Sequence, residues 1–370
     1  MPRFESSPPH EHGLTESLGI LLVNLGTPDE PTAASVRPFL SRFLADPRVV
    51  EAPRLIWWLA LHGFILRFRP SRSAQAYKKI WTDKGSPLLL NSQSIGEALN
   101  ARLAAILSGT VHVEVGMSYS NPSIDAALAK LFAQNVQRLV VLPMYPQYSS
   151  TTSGSVFDAV TAALSKRRWI PEFRFINHYH DAPGYISALA ASVRDHWEAQ
   201  GRGERLLISF HGLPQQMLND GDPYHCQCQK TARLLADALK LGDDDWAISF
   251  QSQVGRAEWL QPYTDEMLRN WGTSGAGNID VVCPGFSVDC LETLEEIALR
   301  YAALYAESGS GELHYVPALN ARDDHVSFLS QLLQENLAGW PESSAEKNTG
   351  ETSHDLEESL RRARALGAGR

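Results

Sequence analysis

The sequence predicts an α/β protein built from two similar halves, each a parallel sheet flanked by helices, with a cleft between them. Three observations carry this expectation. Short apolar runs alternate with amphipathic stretches along most of the chain, the pattern of parallel strands joined by right-handed helical crossovers. The alternation falls into two series, separated by the turn residues Asp181-Ala182-Pro183-Gly184. Each series opens with a strand that runs into Gly, one residue and Pro: Leu-Val-Asn-Leu-Gly-Thr-Pro at 22–28, and Ile-Ser-Phe-His-Gly-Leu-Pro at 208–214. That pairing hints at an internal duplication.

Taken in order, residues 1–17 are polar and are expected to form a disordered tail. Residues 18–181 form the first domain, with strands at Ile20–Asn24, His112–Gly116, Arg138–Leu142 and Phe173–Asn177. Within it, the near-continuous apolar run from Leu55 to Leu66 holds 12 residues, and a membrane-spanning helix needs about 20. Together with the arginines at 67, 69 and 72 that follow, it reads as an apolar segment over 55–69 that could touch a bilayer without crossing it. Residues 182–340 form the second domain, with strands at Leu206–Phe210, Ala247–Gln251, Ile279–Cys283 and Leu313–Val316. From 341 to 370 the chain is rich in Glu, Ser, Arg and Ala, so it reads as a solvated tail with a marginal helix at Asp355–Leu366.

Composition narrows the function classes. The chain has 370 residues, 44% of them hydrophobic and 20% charged, which suits a globular protein with sizeable cores. A formal net charge of -9 with no basic stripe opposes sequence-independent nucleic-acid binding. Nothing at residues 1–17 resembles the apolar stretch of a secretory signal, and four cysteines in so long a chain are no disulfide framework; a cytoplasmic location is expected.

Two strand ends carry residues suited to protons and metal. Arg205–Phe210 stops at His211, where Gly212 and Pro214 break the strand. Ile279–Cys283 leads into a helix with Glu292 and Glu296 four residues apart, placing both carboxylates on one helical face. Ligands of open parallel sheets bind beyond the carboxyl ends of the strands, so His211 and the two glutamates are expected to face one cleft. An imidazole opposite two carboxylates can take up protons and hold a divalent cation. Local structure offers plainer roles as well: Asp289-x-x-Glu292 has the spacing of a capping box, and Glu295 reads as a solvated glutamate.

Seven stretches in order give the chain a close resemblance to the bacterial ferrochelatases over roughly residues 19–337. They are Asn24-Leu25-Gly26-Thr27-Pro28, Gly85-Ser86-Pro87-Leu88, Pro143-Met144-Tyr145-Pro146-Gln147-Tyr148-Ser149, Ser209-Phe210-His211-Gly212-Leu213-Pro214, Gly221-Asp222-Pro223-Tyr224, Gln251-Ser252-Gln253-Val254-Gly255 and Asp289-Cys290-Leu291-Glu292-Thr293-Leu294. The resemblance implies the chelatase fold, two similar Rossmann-like domains with the active site in the cleft between them. It implies a lyase that inserts Fe2+ into protoporphyrin IX, with His211, Glu292 and Glu296 catalytic and with His211 and Glu292 meeting the metal. Leu25, Tyr119, Trp259 and Phe286 are then the macrocycle's walls, Ser86 and Arg69 further substrate contacts, and 55–69 a lip over the porphyrin pocket. The lip is where a peripheral membrane contact is expected.

Other expectations are a monomer, no nucleic-acid partner, and no cofactor beyond the substrate Fe2+. No iron–sulfur cluster is expected, because residues 341–370 contain no cysteine and Cys226, Cys228, Cys283 and Cys290 are poorly placed to converge. The chain departs from many relatives in having Met117-Ser118-Tyr119 where they have Arg before the tyrosine, and Cys290 where they have His. Two rivals stay open at this point: a cobalt or nickel chelatase for another tetrapyrrole, and a haem- or porphyrin-binding protein without chemistry. The absence of any Cys-x-x-Cys-His motif counts against covalent haem.

Overall fold

The computed structural model describes residues 4, 14–255, 257–309, 311–343 and 353–368. Among the described residues, eight strands form two sheets: β1 (Ser17–Asn24), β2 (Thr110–Met117), β3 (Val136–Pro143) and β4 (Glu172–Phe175) in one, β5 (Arg205–His211), β6 (Trp246–Gln251), β7 (Ile279–Val282) and β8 (Leu313–Val316) in the other. Their orders are β2-β1-β3-β4 and β6-β5-β7-β8, the same winding twice, and all pairings are parallel. The first strand of each series is central in its sheet, which strengthens the duplication read from the two Gly-x-Pro turns. In that correspondence Leu25 and His211 occupy equivalent positions just past or at the end of a central strand.

Why these runs become strands is plain in β1, where Ser17 to Asn24 are all buried because helices cover both faces of the sheet. Helices begin where proline or a capping hydroxyl favours them: Pro87 and Pro183 stand in the first turn of Pro87–Ile106 and Pro183–Gln200, and Thr32 and Ser123 cap Ala33–Ala45 and Ile124–Ala133. Gly26 follows β1 with φ +106°, and a Cβ there would collide with Ser120.

The two halves do not keep separate cores. One apolar cluster runs from Leu18, Ile20 and Leu22 of β1 through Tyr179, Tyr185 and Phe328 to Leu206, Ile208 and Phe210 of β5. The helix Asp323–Glu335, last in the second half, packs against Pro87–Ile106 of the first, with Arg102 reaching Asp323 at 2.5 Å. A polar seam joins the halves as well. Gln147 Nε2 donates to Thr231 Oγ1 at 3.0 Å, the Tyr148 amide to Gln227 Oε1 at 2.7 Å, and the Ser150 amide to Asp222 Oδ2 at 2.7 Å. Residues 147–150 of the first half are thus tied to Asp222, Gln227 and Thr231 of the second.

Expectations about the ends need correction. Ser17, placed in the tail, is a buried residue of β1 whose hydroxyl donates to Gln134 O at 2.6 Å, while residues 1–3 and 5–13 lie outside the described set. Glu342, placed in the second tail, is buried and paired with Arg138 at 2.9 Å, because the chain returns there to the first sheet. Residues 344–352, 369 and 370 lie outside the described set, and a mostly exposed helix spans Ser353–Ala365.

Candidate active site

The carboxyl ends of the strands converge as the topology requires. His211 is the last residue of β5, half-buried, with its ring 6.4 Å from that of Phe286. Its Nδ1 lies 2.6 Å from Gly212 O. A carbonyl can only accept, so Nδ1 carries the proton of the neutral ring and Nε2 keeps its lone pair for a proton or a metal. Gly212 is needed because a Cβ there would stand 2.8 Å from Gln251 O and 3.1 Å from Trp259 Cε3. Trp259 therefore packs directly beside the His211 turn, with its Nε1 buried and unpartnered.

Glu292 opens a helix that corrects the expected α geometry: Glu292–Tyr301 is a π-helix. Its wider i→i+5 turn still keeps residues four apart near one face, and such segments concentrate at functional sites. The capping box is not formed. Asp289 is instead used by Thr293 Oγ1 at 3.0 Å, Tyr315 OH at 2.7 Å and Asn320 Nδ2 at 2.7 Å. Glu292, half-buried, is left for the cleft, and its charge is felt by Arg69, Tyr77 and Tyr145. Burial lowers the Arg69 pKa, Arg72 lowers it further, and Glu292 raises it. Burial is also the main cause raising the Tyr77 and Tyr145 hydroxyls well above the usual range.

Behind Glu292, Glu296 is buried and held by many donors. The Ser252 amide donates to it at 3.1 Å and Tyr301 OH at 3.0 Å, the Ser252 hydroxyl donates to Oε2, and Arg300 Nη2 lies 3.1 Å away. Ser252 reaches this position with φ +66°, a left-handed conformation that a non-glycine residue adopts at a cost. Gln251, almost fully buried at the end of β6, ties the parts together. Its carbonyl accepts the Gly212 amide at 2.7 Å, and its Nε2 donates to Glu292 O at 2.9 Å. Gln251 and Ser252 were visible only as part of a motif; their spatial role was not.

Glu295 is not solvated. It is buried, with Lys79 Nζ at 2.9 Å and Arg300 Nε at 3.4 Å.

The remaining expected substrate contacts spread around this centre. Leu25 and Tyr119 belong to an apolar cluster with Trp57, Leu61, Leu66, Tyr77 and Leu291, so the residue before Glu292 packs against the wall of the first domain. Tyr119 is more enclosed than a bare wall residue, its hydroxyl donating to Asp46 at 2.7 Å. Arg69 is half-buried on the helix Leu66–Ile80, whereas Arg67 and Arg72 are exposed. Ser86 is buried at the start of Pro87–Ile106.

The segment 55–69 lies within a nearly continuous helical run, Arg54–Ala60, the π-turn Leu61–Ile65 and Leu66–Ile80. Leu61 and Leu66 face inward, but Leu55, Ile56, Trp58, Leu59, Phe64 and Phe68 are each more than half exposed. No helix among the described residues is long and apolar enough to cross a membrane.

The fold is that of the chelatases. It matches SirB from Bacillus subtilis with Fe3+ at TM-score 0.54 and 10% identity, covering 89% of this chain and 100% of that one. The sirohydrochlorin chelatase SirB from Bacillus subtilis subspecies spizizenii, in complex with cobalt, matches at TM-score 0.51 and 12% identity over the same shares. Likeness at such identities speaks for the fold alone. Sequence goes further: the ferrochelatase family profile matches residues 17–337. Ferrochelatases of Nitrosococcus oceani and Thioalkalivibrio sulfidiphilus are 50% identical over 365 residues and 49% identical over 367, with 99% of both chains covered in each case. The chain belongs to the ferrochelatase family, and so is a ferro-lyase that inserts Fe2+ into porphyrin in haem synthesis.

Proposed function

We propose that His211 and Glu292 form the unit that exchanges the two pyrrole N–H protons of protoporphyrin IX for Fe2+, giving protohaem and two protons. The observation that carries this is the free Nε2 of His211, whose tautomer is set by Gly212 O, on a turn that Gln251 links to the Glu292 helix. In a flat macrocycle the N–H bonds lie in the ring plane and an entering metal cannot reach all four nitrogens. Burying the large faces against Leu25, Tyr119, Trp259 and Phe286 contributes about 25 cal/mol per Å2, part of which can hold the ring in a saddle shape. His211 Nε2 then accepts a pyrrole proton, Glu292 shares metal delivery and proton transfer with it, and Arg69 faces a propionate. Glu296 relays protons outward, since the hydroxyls of Ser252 and Tyr301 beside it can both take and give one.

The exposed apolar face of 55–69 supports peripheral contact with a membrane, where an insoluble porphyrin would enter; the chain otherwise acts as a cytoplasmic monomer. Anaerobic incubation of the purified protein with protoporphyrin and Fe2+, followed by absorbance, tests the reaction. Metalloporphyrin formed over many turnovers is the expected result. A ceiling of one equivalent per chain would show a carrier instead.

A further inference from the structure

On the face of the second sheet away from the cleft's chemistry, three buried polar atoms point at one another without hydrogen-bond partners: His196 Nε2, Asp280 Oδ1 and His314 Nδ1. They lie within 4.8 Å of one another. His196 Nε2 is 3.7 Å from Asp280 Oδ1, and His314 Nδ1 is 3.5 Å from it. Those separations are too long for hydrogen bonds. Around a tetrahedral metal with bonds of about 2.0–2.1 Å, neighbouring donor atoms stand ~3.4 Å apart, so a contraction of a few tenths of an ångström would bring each histidine nitrogen to that distance from Asp280 Oδ1.

The fold builds this arrangement. Asp280 of β7 and His314 of β8 are partners in register on adjacent parallel strands, so their side chains leave the same face. His196 descends onto that face from the helix Pro183–Gln200. The second carboxylate oxygen of Asp280 is pinned by Trp197 Nε1 at 2.6 Å and the Gly203 amide at 2.8 Å, which aims Oδ1 at the imidazoles. The far nitrogen of His314 lies 3.6 Å from the exposed carboxylate of Glu312, again too far for a hydrogen bond.

We propose that His196, Asp280 and His314 form a binding site for one divalent transition metal of the zinc class, distinct from the site of insertion. Two imidazole nitrogens and one carboxylate oxygen select such an ion over Mg2+ or Ca2+, and the fourth position is left for water. His196 also lines a surface groove of about 470 Å3 with Asp195, Val316 and Arg322. Asp280 is level with Leu206 on β5, five residues before His211 and so about 17 Å from it along the strand. The metal therefore takes no part in the reaction; it fastens the helix Pro183–Gln200 to β7 and β8.

The test must separate this site from substrate metal. In protein carrying His211→Ala and Glu292→Gln, stripped with a chelator, a Zn2+ titration against a chromophoric competitor should show one tight equivalent. Adding His196→Ala and His314→Ala should weaken that equivalent at least ~100-fold and abolish the rise in Tm that Zn2+ gives the stripped parent. Should the quadruple variant fail to fold, Co2+ added to the stripped parent should give the intense visible bands of a tetrahedral ion, and their absence overturns the proposal. No tight equivalent in the parent overturns it too, as does one that survives loss of both histidines.

Discussion

Lys79 Nζ lies 2.9 Å from Glu295 Oε1, joining the helix that continues the apolar lip to the π-helix that carries Glu292 and Glu296. The two residues are 216 apart in sequence and come from different halves of the molecule. Because Glu295 is buried while Lys79 is more than half exposed, solvent screens the pair, and Arg300 remains as a second partner. Lys79→Ala should therefore cost about 1 kcal/mol of stability or less. Its larger effect should be on the apparent KM for porphyrin, since it loosens the lip from the glutamate helix. A double-mutant cycle with Glu295→Gln checks the link, and strictly additive changes in KM would break it.

The catalytic unit makes its own prediction. His211→Ala and Glu292→Gln should each lower kcat by at least about a hundredfold, the range for losing a positioned acid–base group, with porphyrin still bound. Glu296→Gln should act more mildly, and Ser252→Ala or Tyr301→Phe should resemble it, because both hydroxyls hold the same carboxylate. Near-normal turnover in His211→Ala would remove the assignment.

How far the sequence reached depended on the range of the interaction. Both sheets were legible because buried parallel strands are written as unbroken apolar runs, and the position of His211 because such a run stops at it. Glu295 was misread because a helix-face pattern cannot see Lys79 on another helix. Asp289 has a capping spacing, yet Tyr315 and Asn320, both distant in sequence, take its oxygens. Nor did local pattern distinguish a π-helix from an α-helix at Glu292–Tyr301.

At the lip, the neighbouring tryptophans should behave differently. Trp57 Nε1 donates to Leu44 O at 2.6 Å and its ring packs inward, while Trp58 is exposed beside Leu55, Ile56 and Leu59. Trp58→Ser with Leu59→Ser should weaken liposome binding and raise the apparent KM for porphyrin while leaving Tm unchanged. Trp57→Ser should instead lower Tm. Unchanged liposome binding in the first variant would refute a membrane role.

The purified protein should carry no iron–sulfur cluster. Cys226 and Cys228 lie on the helix Tyr224–Leu239, Cys283 follows β7 and Cys290 precedes the π-helix; three of the four are buried. Among the described residues no group of three potential metal ligands includes a cysteine. Burial raises the thiols of Cys228, Cys283 and Cys290 well above their usual range, opposite to what a thiolate ligand needs. After anaerobic purification, acid-labile sulfide should be absent; two iron and two sulfide per chain would contradict this.

Stability should fall in mildly acidic solution through His325. This residue is fully buried on the helix Asp323–Glu335, with Nδ1 2.7 Å from Asn320 O. Burial pushes its pKa down to about 4, outweighing the carbonyl of Asn320 and the charge of Asp324, which raise it. In the unfolded chain the ring titrates near the ordinary value of about 6.5, so between those values the unfolded state binds more protons. The neutral ring's contribution is thus fully present above about pH 6.5 and is lost as pH falls toward 4, at a cost of up to roughly 3 kcal/mol. Asp324, whose pKa is lowered by Arg322 against the opposing effect of burial, loses its own contribution only below that window. Burial also holds His180 at about 4, with the same sign, so the test compares variants at each pH. The denaturant midpoint of the parent should drop more steeply from pH 7 to 4.5 than that of His325→Gln. Parallel curves would show that His325 is charged in the folded protein.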